Sequence, residues 1–128
     1  MIDKEVFRSV FADFDADIIH QIIKIYINEH PVKFNAFEES LAQKDFNNLR
    51  SLAHGLKGVL SQFFAEEARQ QAKELEIFAR ELNEQYTSNS ISCIDDAHLN
   101  KIRDMIDTLR LSSLRVIEDL NEIGAEYN

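Results

Sequence analysis

The chain has 128 residues, 45% of them apolar, with three glycines, one proline, one cysteine and a formal net charge of -9. Such a length and apolar content fit one domain, residues 1–128, with a core of its own, and exclude a disordered composition. The negative charge argues against nucleic acid, because no basic stripe is present to meet phosphates, and the lone Cys93 excludes an internal disulfide and a thiolate metal site.

The opening MIDKEVFRSV carries acids at once and has no long apolar core, so it does not read as a signal peptide. No run approaches the roughly 18 apolar residues that span a bilayer. The expectation is a monomeric protein of cytoplasmic type without direct membrane contact, or one domain of a membrane-anchored parent.

Val6, Phe7, Val10 and Phe11 form a short helical pattern. Asp13 or Asp15 can cap the next helix, whose apolar residues Ile18, Ile19, Ile22, Ile23, Tyr26 and Ile27 recur with helical period. Pro31 interrupts, and the stripe resumes with Phe34, Phe37 and Leu41, giving one kinked helix or two in line over residues 16–43. Asp45 caps a third stripe of Phe46, Leu49, Leu52, Ala53, Leu56, Val59, Leu60 and Phe63. FFAEE is the following turn, and Glu66 and Glu67 suit a first helical turn.

The next stripe is Ala68, Ala72, Leu75, Phe78 or Ala79, Leu82 and Tyr86; residues 87–95 have the composition of a loop. Asp95 or Asp96 caps a last helix carrying Leu99, Ile102, Ile106, Leu109, Ser113, Val116 or Ile117, and Leu120, which Gly124 ends. The predicted fold is all-α: an antiparallel up-and-down bundle of four main helices, with the short leading helix across one end. Phe7, Phe11 and Phe14 are spaced to pack there as core or lid.

The run AHGLKG, residues 53–58, stands out. On a helical wheel His54 falls about 140° from Leu49, nearly opposite the apolar face, with Asn47, Arg50, Gly58 and Ser61 within about 40° of it. Ser51 lies slightly farther round, and Lys57 is on the flank one turn on. A glycine in an exposed helix interior costs roughly 1 kcal/mol relative to alanine. Gly55 and Gly58 therefore reflect either a tolerated cost or room for something that approaches the backbone beside the imidazole.

A neutral imidazole is available near pH 7 as a nucleophile, and Lys57 can steady the oxygens of a phosphoryl group. No acid partner for His54 is visible along its own helix, since Asp45 and Glu66 are out of register, and nothing suggests a hydrolase. His20, His30 and His98 share no metal-ligating spacing, so no metal site is expected. Glu38-Glu39, Glu66-Glu67 and Glu81 with Glu84 read as solvated faces, and Cys93 as a bystander in the loop.

His54-Gly55-Leu56-Lys57-Gly58 resembles the His-x-Leu-Lys-Gly signature of histidine-containing phosphotransfer (HPt) domains. The resemblance extends from the Tyr26–Pro31 segment through Lys44-Asp45 and the run from Ala65 to Leu75-Glu76 to the last helix. It implies that His54 is phosphorylated on Nε2, that Lys57 lies beside the phosphoryl group, and that Gly58 lets a receiver domain dock closely. It implies transfer between aspartates of receiver domains, no nucleotide site and no autonomous kinase activity, and no bound cofactor, with Mg²⁺ supplied by the receiver. Arg50, Ser51, Gly55 and Ser61 would form the docking rim.

Two positions depart from the pattern: Phe64 stands where many members have glycine, and Gly55 where many have serine, threonine or alanine. The alternatives are a helical module that docks receivers without transfer, and the phosphoacceptor domain of a chemotaxis-type kinase. Because residues 47–61 contain Arg50 and Lys57 and no acid, the His54 face is expected to be a neutral-to-basic window in an acidic surface.

Overall fold

A computed structural model describes residues 2–88 and 95–127. The described residues are helical: α1 Lys4–Val10, α2 Ala16–Ala42, α3 Phe46–Gln62, α4 Glu66–Ser88 and α5 Asp96–Ala125. In the bundle α2 packs on α3 and α5, and α4 packs on α3 and α5. The stripes read from the sequence supply its core, with Ile19, Phe37, Leu49, Leu60, Leu75, Ile106 and Leu120 fully buried.

Helix starts follow short polar side chains. Asp3 accepts from the Val6 amide, Asp45 from that of Asn48 and Asp95 from that of His98, while Asp15 holds the cap position of α2 without a side-chain bond. α2 runs through Pro31 as one helix, although the ring supplies no amide to the preceding turn. Its attachment to α5 is polar as well as apolar. The fully buried Ser113 hydroxyl meets the Tyr26 hydroxyl at 2.6 Å and His30 Nδ1 at 2.8 Å. Burial pushes the Tyr26 hydroxyl up to about 12, against the opposing effect of its bond to Ser113.

Both ends of the α2–α3–α4 run close with left-handed residues. Lys44 (φ 55°) ends α2, and the amide of Asp45 donates to Ser40 at 2.8 Å; Phe64 (φ 59°) ends α3, and the amide of Ala65 donates to Leu60 at 3.1 Å. Each is a Schellman turn, which glycine fills most readily. Glycine, which the resembled HPt pattern has at the Phe64 position, would fill this turn without strain, and phenylalanine preserves the turn at a conformational cost. Lys44 is exposed, so Lys44→Gly should remove left-handed strain of about 1–2 kcal/mol, partly offset by a floppier unfolded chain, and raise stability by roughly 1 kcal/mol in denaturant melts.

Several expectations change. α4 extends through Ser88, so the connection to α5 is shorter than residues 87–95; Cys93 lies outside the described residues. Gly124 does not end α5, which continues to Ala125; a Cβ there would lie 3.3 Å from Ile23, and its carbonyl meets His20 Nε2 at 2.9 Å. The end of the Ile23 side chain of α2 thus packs closely over this glycine. Ile18 is 46% exposed rather than on the core face, and Phe14, with its ring edge-on to Phe11, is 45% exposed.

Phe7 and Phe11 are buried and stacked, and Phe7 lies parallel to Phe63. α1 is further tied down by the Asp3 amide on the Phe64 carbonyl and by the pairing of Arg8 with Glu126. Glu38 is not a purely solvated acid either, since it pairs with Arg103 and Arg110 of α5. Among helices of the described residues, none is long and apolar enough to cross a membrane.

Candidate functional site

His54 lies near the middle of α3, where Leu49, Ala53, Leu56 and Leu60 face the core and fix the direction of the opposite side. Its side chain is 64% exposed. Gly55, Gly58, Ser61 and Ser51 are exposed on the same helix, as the wheel requires, and Arg50 is half-buried. The Arg50 guanidinium donates to Asn47 Oδ1 at 3.2 Å, within the rim and one turn before the imidazole.

Glu76 of α4 was not anticipated as part of this site. Its Oε2 lies 2.9 Å from His54 Nδ1, and its Oε1 lies 2.8 Å from the Lys57 ammonium, a close ion pair that falls short of a well-directed hydrogen bond. One carboxylate thus gathers both residues that the sequence singled out. Its side chain is only 13% exposed, so burial pushes the carboxyl up. The Lys57 ammonium and the His54 ring outweigh burial and hold it below the usual carboxylate value.

Glu76 therefore stays ionised and can only accept, which makes Nδ1 the donor and leaves Nε2 on the solvent side of the ring. The sequence offered a weak sign of it: Glu76 follows the core residue Leu75 on the flank that α4 turns toward α3. Only the pairing of the two helices identifies which acid arrives beneath His54.

The expected charge window is corrected accordingly. α3 contributes no acid to this face, but α4 places a carboxylate against Lys57, so the lysine does not present an uncompensated charge. Apolar surface is the more prominent neighbour. Ile25 (57% exposed) and Val32 (67%) run along α2, and a mostly apolar hollow beside α3 is lined by Ile22, Ile25, Tyr26, Val59 and Phe63 with Glu29 and Gln62.

Neither glycine of the site is demanded by the chain itself. A Cβ built on Gly55 or Gly58 meets nothing within 4 Å. Alanine at either position should therefore stabilise the helix by roughly 1 kcal/mol, read as a raised melting temperature. An unchanged or lowered melting temperature for both would show that the fold itself requires them.

A helical bundle with a solvent-facing imidazole, held at one nitrogen by a carboxylate and flanked by lysine and open backbone, has the make-up of a group carrier rather than of a hydrolase. The model of the Hpt domain family matches residues 21–112, and the chain belongs to that family. It is a histidine phosphotransfer domain of phosphorelay signalling. Comparison with curated proteins and with solved structures found no match.

Proposed function

We propose that this domain accepts a phosphoryl group on His54 from the phosphoaspartate of a receiver domain, as in a hybrid sensor kinase. It then passes the group to the aspartate of a response regulator. The observation that carries this reading is the exposed His54 ring, engaged at Nδ1 by Glu76 and open at Nε2, within the family's signature run.

In the proposed step the Nε2 lone pair forms the N–P bond while the acyl-phosphate P–O bond breaks, its electrons staying on the aspartate carboxylate. Mg²⁺ belongs to the receiver, whose acids bind it. Lys57, one turn from His54, would turn toward the phosphoryl oxygens as charge builds there. Lys57→Ala should slow transfer about tenfold or more without abolishing it, because the lysine steadies charge and forms no bond. Single-turnover transfer kinetics measure this, and an unchanged rate would remove Lys57 from the mechanism.

Docking would centre on Gly55, Gly58 and Ser61, with Arg50 and Ser51 on the rim and the apolar strip of α2 alongside. The open backbone at both glycines and the exposure of Ile25 and Val32 support a protein surface as partner. The short turns between α2 and α3 and between α3 and α4 favour an antiparallel up-and-down arrangement, with the whole chain acting as one monomeric domain.

The test is to mix the protein with a phosphorylated receiver and Mg²⁺, and separately with ATP alone. The first should give an acid-labile, base-stable label and the second none. Labelling by ATP alone would contradict the proposal, and so would failure of a cognate receiver to transfer.

A further inference from the structure

We propose that His30, Ser113 and Tyr26 form a proton-sensitive joint between α2 and α5, tight while the His30 ring is neutral and loosened when the ring takes up a second hydrogen.

The joint is built around one hydroxyl. Ser113 is fully buried in α5, and its Oγ lies 2.6 Å from the Tyr26 hydroxyl and 2.8 Å from His30 Nδ1. A buried phenol hydrogen needs an acceptor, and Ser113 Oγ is the one at hand. Tyr26 keeps that hydrogen throughout, since burial pushes it up to about 12. Ser113 then has a single hydrogen of its own, which fits the lone pair of Nδ1. The bonds run from Tyr26 through Ser113 to a neutral His30 whose own hydrogen sits on Nε2. A protonated ring has no lone pair at Nδ1 and donates there, so the Ser113 hydrogen has to turn away.

The surroundings oppose that second hydrogen. His30 is half-buried, its ring centre lies 4.8 Å from that of Phe34, and the Arg110 guanidinium sits 5.5 Å over the same Phe34 ring. Arg110 pairs with Glu38 and Asp107, so those two acids are already engaged. On α2 itself Glu29 pairs with Lys33. The buried residues of α3, the other helix packed on α2, are apolar. Burial first, and Arg110 second, hold the His30 imidazole below the usual histidine value.

The position suits a joint. Pro31 supplies no amide to the Ile27 carbonyl, so α2 lacks one rung of its ladder beside His30. Tyr26 packs edge-on to Phe63, the C-cap of α3, with ring centres 5.5 Å apart. The joint therefore connects to the end of the helix that carries His54. Because the folded value lies below the unfolded one, the unfolded chain takes up the proton first as pH falls. The stabilisation is complete above about 6.5 and is lost as the pH falls through the folded value.

Nitrogen-15 shifts of the His30 ring, followed in the whole protein from about pH 8 to about pH 5, read both tautomer and midpoint. The neutral ring should carry its hydrogen on Nε2, and the amides of residues 26 to 34 should lose protection against exchange as it protonates. Ser113→Ala should raise the midpoint by about half a unit, because the neutral ring loses its donor. His30→Gln should make the urea midpoint less dependent on pH below about 6.5 than in wild type. A purely structural serine would contribute equally at every pH and leave the His30 midpoint unmoved. A neutral ring with its hydrogen on Nδ1, an unchanged or lowered midpoint in Ser113→Ala, or equal pH dependence in wild type and His30→Gln would overturn the proposal.

Discussion

Replacing His54 by glutamine should reduce phosphoryl acceptance from a receiver to background and leave the thermal melt almost unchanged. The two halves of this expectation have separate causes. Acceptance disappears because the carboxamide nitrogen of glutamine has no lone pair free to form an N–P bond, and no other histidine lies on this face of α3. Stability persists because the His54 side chain is 64% exposed and its contact to Glu76 is made at the surface. A variant that melts far below wild type would indicate that His54 helps to hold α3 against α4. Residual labelling at the wild-type level would place the acceptor elsewhere.

Leu56→Ala should have the largest effect on stability, a loss of about 3 kcal/mol, since a leucine only 2% exposed leaves a cavity as well as losing its burial. Small domains are stable by only about 5–15 kcal/mol, so the midpoint of a urea melt should fall markedly. Leu56 lies two residues from His54 and on the opposite side of the same helix, which gives the substitution a second consequence. The α3–α4 contact that brings Glu76 under His54 should loosen, and transfer should slow even at temperatures where the variant is folded. A loss below about 1 kcal/mol would mean that α3 is held to the bundle mainly by its ends.

Much of the fold was legible because four stripes of helical period leave few alternatives, and because Asp45 and Asp95 stand where helices begin. The exposure of His54 followed from the direction of Leu49, Leu56 and Leu60 alone. Periodicity cannot report what a neighbouring helix brings to a surface, so Glu76 stayed hidden although its own position on α4 was clear. The misreading of Ile18 has the opposite origin. An isoleucine fits a core stripe by type, but at 46% exposure this one faces solvent in the first turn of α2.

Gly124 illustrates a further limit. A glycine near a helix end suggests a stop signal, whereas here the end of the Ile23 side chain packs closely over it, 3.3 Å from where a Cβ would lie. At Phe64 the residue type opposed the conformation, and the turn was kept because Ala65 and Leu60 are both buried and bonded across it.

The central claim is that His54 carries the phosphoryl group. Its most direct test is to locate the label on the wild-type chain after transfer from a phosphorylated receiver, by phosphorus NMR and by mass spectrometry of peptides kept at alkaline pH. The account predicts a single modified residue, His54. Label on His20, His30 or His98 with His54 unmodified would contradict it.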